Sequence, residues 1–235
     1  MERIDKVISN QTNYSRKDIK DLIKKKRVKV NGEIVLKSDI KINSDTDIIS
    51  IDDVVLKVQD YVYLILNKPK GYVSATEDKN DLTVLDLVPD EYLHRDLFPA
   101  GRLDKDTTGL MIITDDGVFA HEILSPKKHV KKTYIVTIDK VMSEDMVIGF
   151  RDGVLLNDGV CKTAGLEITG EYTGIVTLTE GRYHQIKRMF GCFGAKVVEL
   201  KRIGMGELYL PDDLLEGECR ELSTLELELI KKENN

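Results

Sequence analysis

Cysteine is scarce in this 235-residue chain, and the few present do not cluster. Cys161, Cys192 and Cys219 are odd in number and far apart, with no CxxC pair. That excludes a disulfide framework and a zinc site of the usual spacing. Histidine is equally sparse, and His94, His121, His129 and His184 show no HExxH arrangement. No glycine-rich loop is followed by Lys-Ser/Thr, so nothing supports nucleotide hydrolysis through a Walker loop. His184 as a general base and Ser125 as a nucleophile find no third member of a triad. No run approaches the roughly 20 apolar residues that span a bilayer. The first residues also lack the charged-then-apolar layout of a signal peptide. The expectation is a cytoplasmic protein with no membrane partner. Internal repeats and low-complexity tracts are missing too.

The remainder is ordinary in bulk, 41% hydrophobic and 32% charged, as expected for a globular chain of one large domain or two smaller ones. The formal net charge is −6, unpromising for a partner of nucleic acid until its distribution is read. Residues 1–43 hold 12 Lys/Arg against 6 Asp/Glu, and residues 181–202 hold 6 against Glu199 alone. Residues 206–235 hold 9 acidic and 3 basic residues and mask both regions. Local basic patches drive binding to a phosphate backbone even on an acidic protein, through counterion release.

Periodicity predicts helices over residues 2–10, with Ile4, Val7 and Ile8 on one face, and over Arg16–Lys26, with Ile19, Leu22 and Ile23 inward. Ser15, with Asp18 three residues on, reads as the second helix's N-cap. Alternation from Arg27 to Val35 around Asn31-Gly32 predicts a hairpin, and Asp47–Ile51 a further strand. The expected organisation is a small domain over residues 1–51, a linker over 52–60 and a second domain over 61–235. In the second, Tyr61–Asn67, Leu110–Thr114, Thr133–Ile138 and Gly174–Thr179 read as strands. His121–Leu124, Ser143–Gly149 and His184–Phe193 read as helices. This mixture predicts an α+β fold with a mostly antiparallel sheet. The tail beyond residue 220 is expected to form a last strand or helix and to fray over Lys231–Asn235.

Three polar features stand out. In Phe98-Pro-Ala-Gly-Arg-Leu-Asp-Lys-Asp-Thr-Thr-Gly-Leu, a loop precedes a core strand, and Arg102 and Asp104 fall on one side of an extended stretch. The pair either braces a turn or presents an ionised carboxylate able to act as nucleophile or base. In Thr179-Glu-Gly-Arg-Tyr-His-Gln-Ile-Lys-Arg-Met-Phe, a turn leads into a helix carrying Lys187 and Arg188. Those cations bind phosphate, pair with a carboxylate or form a solvated face. In Lys131-Lys-Thr-Tyr-Ile-Val, Tyr134 begins a strand, either as a half-buried packing residue or as a ring for a base to stack on. The run Lys24–Arg27 is a solvated helix end or a phosphate contact.

Together and in this order, these motifs resemble the pseudouridine synthases of the ribosomal small subunit pseudouridine synthase A family, over nearly the whole chain. Residues 1–50 resemble the small RNA-binding module first described in a ribosomal protein. Leu66-Asn-Lys-Pro-Lys-Gly-Tyr-Val and Gly101-Arg-Leu-Asp-Lys-Asp-Thr-Thr-Gly-Leu resemble the family's first and catalytic motifs. Lys132-Thr-Tyr and Glu180-Gly-Arg-Tyr-His-Gln-Ile-Lys-Arg-Met complete the set. The resemblance implies Asp104 as the catalytic carboxylate and Tyr134 as the ring stacked on the target base. Lys187, where the wider superfamily places arginine, is its cationic partner, with Arg102 sharing that task. Gly101, Leu103 and Ile186 would line the pocket. Arg3, Arg16, Lys17, Lys20, Lys24, Lys25, Lys26 and Arg27 would contact RNA from the N-terminal module, and Arg182, His184 and Arg188 from the second domain.

The implied reaction is isomerisation of a uridine in 16S ribosomal RNA, free or in a small-subunit assembly intermediate, by a monomer. An isomerisation calls for no cofactor and no metal. The alternatives are a large-subunit enzyme of the same fold and a non-catalytic assembly factor.

Overall fold

The computed structural model describes residues 1–125, 128 and 130–231. It divides into two units, Met1–Val62 with Val88–Asp96, and Tyr63–Leu87 with Leu97–Asn235.

In the first unit, α1 (Ile4–Gln11) and α2 (Arg16–Lys24) bury the six apolar residues that periodicity assigned to them. Residues 2 and 3 are not helical, because they pair antiparallel with Lys41–Ile42. Ser15 caps α2 reciprocally with Asp18: its hydroxyl accepts from the Asp18 amide at 3.2 Å, and its own amide donates to Oδ2 at 3.0 Å. The helix stops at Lys24, short of the expected Lys26, because Lys26 turns left-handed at φ 58°. Strands β1 (Val28–Val30) and β2 (Glu33–Ile34) meet at Asn31-Gly32, whose φ angles of 51° and 83° are those of a type I′ turn. β3 (Ile49–Ile51) and β4 (Val54–Val55) complete a sheet of order β2-β1-β3-β4.

The segment 52–60 is therefore structure and not tether. It holds β4, the Leu56 amide donates to Ile49 O at 2.8 Å, and Leu56 and Val58 pack on the core. The Gln11 side chain clasps the Gln59 backbone in both directions. Residues 88–96 also belong to this unit: Asn13 donates to Asp90 O at 3.1 Å and Arg95 to Gln59 O at 2.8 Å.

The second unit is built on a sheet of nine strands among the described residues. Its main path uses β5 (Tyr63–Lys68), β6 (Thr108–Thr114), β7 (Lys132–Ile138), β8 (Gly165–Ile168), β9 (Thr173–Leu178), β10 (Val197–Met205) and β11 (Cys219–Glu221), in the order β8-β9-β7-β10-β6-β5-β11. Every neighbouring pair on that path is antiparallel except β10 and β6, so the α+β expectation holds. β5 and β6 are central and buried on both faces, hence their continuous apolar runs. One face packs Ile65, Leu110 and Ile112 against α3 (Gly117–Leu124) and α6 (Thr224–Lys231). α4 (Glu144–Asp152) and α5 (Gln185–Cys192) meet through the Phe150 and Phe190 rings, 4.8 Å between centroids. α3 starts four residues before the expected His121, because Asp116 caps it, accepting from the amides of Val118 and Phe119. The tail supplies both β11 and α6; of the residues expected to fray, 232–235 lie outside the described residues.

Candidate active site

The loop 100–107 enters β6, and its shape is set from below. Lys68, at the end of β5, is fully buried, and its ammonium donates to the carbonyls of Pro69 (3.1 Å), Asp104 (3.2 Å), Lys105 (3.3 Å) and Thr107 (2.8 Å). From the side, the Ser74 hydroxyl both donates to Leu103 O at 2.8 Å and accepts from Leu103 N at 2.9 Å. The Gly71 amide donates to Lys105 O at 2.8 Å. Burial, offset in part by the charges of Asp106 and Asp104, pushes the Lys68 ammonium down to about 8. The loop is thus gripped by its own carbonyls, which leaves the Asp104 side chain out of the grip.

The Asp104 side chain points out of this grip, 27% exposed. Lys187 Nζ lies 2.9 Å from its Oδ2, and His184 Nε2 lies 3.4 Å from its Oδ1. Lys187 also reaches Asp106 at 2.6 Å. Burial works against the Lys187 charge, but its hydrogen bonds to Asp106 and Asp104 outweigh it and hold its pKa above the ordinary value. The hydrogen bond from Lys187 likewise holds the Asp106 carboxyl below its usual range. Lys187 and His184 arrive together at the start of α5. His184 takes a left-handed backbone (φ 47°, ψ 35°), rare without glycine.

Arg102, expected to share the pairing of Asp104, does not: it is exposed, and the side chains that meet the Asp104 carboxylate are Lys187 and His184. Gly101 turns the chain (φ 102°), and Leu103 is buried between the exposed Arg102 and the part-exposed Asp104. Ile186 is buried in the first turn of α5.

Beneath the loop runs a transverse row. The strand registers align Lys68 with Gly109, Gly109 with Arg202, and Arg202 with Tyr134, so the three side chains share one face. All three are buried, and Arg202 Nε donates to Leu110 O at 2.7 Å. Gly109 sits at φ 98°, and a Cβ there would stand 2.2 Å from Arg202 O. Lys132, two residues before Tyr134, is buried with a hydrogen bond to Val130 O. Its pKa falls to about 8 through burial and the nearby Arg202 charge. Lys68 and Arg202 were given no role by the sequence reading, although Lys68 stands in the Asn-Lys-Pro motif.

The expected RNA-contacting cations divide into two groups. Arg182 donates to Gly159 O and Val160 O, and Arg188 pairs with Asp158, so both brace the hairpin 155–160. His184 is taken by Asp104. In the first unit, Arg3 pairs with Asp5, Arg27 with Asp52 and Lys24 with Asp21. Arg16, Lys17, Lys20, Lys25 and Lys26 are exposed and make no ion pair among the described residues. Among the described residues, no group of three His, Cys, Asp or Glu is placed to hold a metal, and no helix is long and apolar enough to cross a membrane.

Comparison with known proteins places the chain in a family. An RNA pseudouridylate synthase family model matches residues 62–191, and an S4 domain model matches residues 2–48. The chain is 41% identical to the ribosomal small subunit pseudouridine synthase A of Yersinia pestis, covering 96% of each chain. It is 40% identical to the protein of that name from Escherichia coli K12, covering 96% of this chain and 98% of that one. It is 39% identical to an uncharacterized RNA pseudouridine synthase of Bacillus subtilis, covering 98% of both. A crystal structure of a pseudouridylate synthase, 39% identical, superposes with a TM-score of 0.69 over 98% of this chain and 100% of that one. By sequence and by fold, the chain belongs to the RNA pseudouridylate synthase family and carries an S4 RNA-binding domain at its N-terminal end.

Proposed function

We propose that this enzyme converts a uridine of 16S ribosomal RNA to pseudouridine, on free RNA or on a small-subunit assembly intermediate in the cytoplasm, with Asp104 as the catalytic carboxylate. The observation that carries this is the Asp104 carboxylate: part exposed, ion-paired to Lys187, on a loop whose carbonyls are locked by a buried lysine. The relatives named for small-subunit modification support the substrate. Asp104, His184 and Lys187 all come from one chain, so a monomer holds a complete set.

In the reaction, the bond from C1′ to N1 breaks, the base turns, and C5 bonds to C1′. The proton lost from C5 is matched by one gained at N1. Asp104 acts on the sugar, either at C1′ as nucleophile or at the 2′ proton as base, and Lys187, 2.9 Å from its Oδ2, holds it aimed. The uridine must leave its stack, at a cost of a few kcal/mol. Stacking on Tyr134 returns about 1–3 kcal/mol of that. Arg16, Lys17, Lys20, Lys25 and Lys26 supply phosphate contacts that set register, while the pocket selects the base.

The test is a pseudouridine map of ribosomal RNA from cells lacking the protein, with wild type or Asp104→Asn restored. One 16S site should vanish, return with wild type and stay absent with the variant, which keeps its RNA binding. Persistence of every 16S site would overturn the substrate, and rescue by Asp104→Asn would overturn the catalytic assignment.

A further inference from the structure

Every cation on the segment from Glu180 into α5 is committed within the protein: Arg182 and Arg188 to the hairpin 155–160, Lys187 to Asp104 and Asp106. What that segment offers outward is a ring. Tyr183 is 76% exposed. An isolated exposed aromatic is unremarkable, but this one is fixed. Its ring stacks on His184, with centroids 3.8 Å apart and planes 20° from parallel. His184 is in turn held 3.4 Å from Asp104 Oδ1. The backbone is fixed as well, because the Tyr183 carbonyl accepts from Arg188 and the His184 carbonyl from the Arg188 amide. His184, which carries the ring on one side and faces Asp104 on the other, has a left-handed backbone (φ 47°).

We propose that Tyr183 is a stacking platform for an unpaired base of the substrate RNA, the neighbour of the uridine that enters the Asp104 site. The inference rests on the pseudouridine synthase reading above. Two contacts in series, Asp104 to His184 and His184 to Tyr183, carry the site from the reacting carboxylate to the open face of the ring. A single strand whose uridine is drawn out against Asp104 exposes the adjacent bases, and an aromatic face accepts either purine or pyrimidine. Because the ring is already immobilised, little ordering entropy is lost on binding. Contact on this side of the site is by stacking and not by charge, so it adds little salt dependence.

The test compares wild type, Tyr183→Phe and Tyr183→Ala on a synthetic RNA spanning the modified uridine, and on the same RNA with an abasic residue immediately 5′ or 3′ of that uridine. Melting curves establish that each variant is folded. Tyr183→Phe should match wild type. Tyr183→Ala should raise KM roughly 5- to 150-fold with kcat unchanged, and the penalty should disappear on one of the two abasic RNAs. A penalty that persists on both abasic RNAs, a fall in kcat alone, loss with phenylalanine, or no penalty at all would each overturn the platform. If wild type converts no uridine in either ribosomal RNA, the function itself fails, an outcome distinct from all of these.

Discussion

Replacing Lys68 with methionine tests whether the catalytic loop is held from beneath. Methionine keeps the reach of the side chain and removes its donors, leaving four carbonyls without the ammonium. Two of these keep a partner: Asp104 O accepts from the Thr107 amide at 3.0 Å, and Lys105 O from the Gly71 amide at 2.8 Å. Pro69 O and Thr107 O have no further turn or loop hydrogen bond among the described residues. Each buried carbonyl left bare costs about 1–3 kcal/mol, so the gross loss is about 2–6 kcal/mol. Against this stands the cost of burying the ammonium, visible in a pKa lowered from 10.5 to about 8 and worth up to about 3 kcal/mol. With the full offset the net change lies between about −1 and 3 kcal/mol, or roughly a 4 °C rise to a 12 °C fall in Tm at this chain length. Turnover should suffer more, since a displacement of about 1 Å at a reacting group costs on the order of 100-fold. Single-turnover pseudouridine formation, RNA affinity and melting should be measured together. The expected result is a kcat lowered about 100-fold with RNA affinity unchanged. A kcat within about threefold of wild type would refute the reasoning and leave Ser74 and Gly71 as sufficient supports.

Three further outcomes follow from the same structure. Gly109→Ala should cost about 3 kcal/mol or more in a urea melt, since a Cβ meets the Arg202 backbone at positive φ; a midpoint like wild type would mean that β6 and β10 yield at that point. Lys132→Met should stabilise the protein below pH 8. The folded-state pKa of Lys132, about 8, lies below its ordinary 10.5, so the unfolded chain holds more protons between those values and the native state gains as pH rises through the window. The advantage of the variant should therefore shrink from pH 8 to 10, and an advantage that grows would contradict the assignment. Neutralising Lys25 and Lys26 together should lower the salt slope of RNA binding by about 1.4–1.8, whereas Arg27→Ala, which removes a charge already paired with Asp52, should change it little; equal slopes for all three proteins would remove the N-terminal module as the electrostatic anchor.

The elements legible in the sequence were those whose local signals agreed. The capped α2, the Asn31-Gly32 turn and the apolar β5 and β6 lie where pattern and turn chemistry coincide. β10 was hidden because Arg202 occupies an inward position where alternation calls for an apolar residue. The start of α3 was hidden by Asp116-Gly117, a turn signal that serves here as a helix cap. In the site, Lys187 and Asp104 meet as the resemblance implied, across 83 residues of sequence that no local pattern bridges. Arg102 misled because facing the same side of a loop does not bring a guanidinium to the carboxylate, which is met by His184 and Lys187 from a distant part of the chain. Lys68 and Tyr183 escaped notice for opposite reasons. A lysine beside an apolar run reads as a solvated strand end, and the meaning of an exposed tyrosine depends on what its ring leans against.

The division of the chain bears on how far the N-terminal module can be treated as a detachable part. Its fold draws on two pieces, Met1–Val62 and Val88–Asp96, separated by a strand of the other unit. Deletion at a single junction therefore cannot remove or transplant it whole. A truncation after residue 62 strands the 88–96 segment on the remaining protein and deprives Asn13, Gln59 and Asp60 of their partners there. By the same token, one proteolytic cut between the two pieces does not free the module, because it stays clasped to a segment that its neighbour still carries.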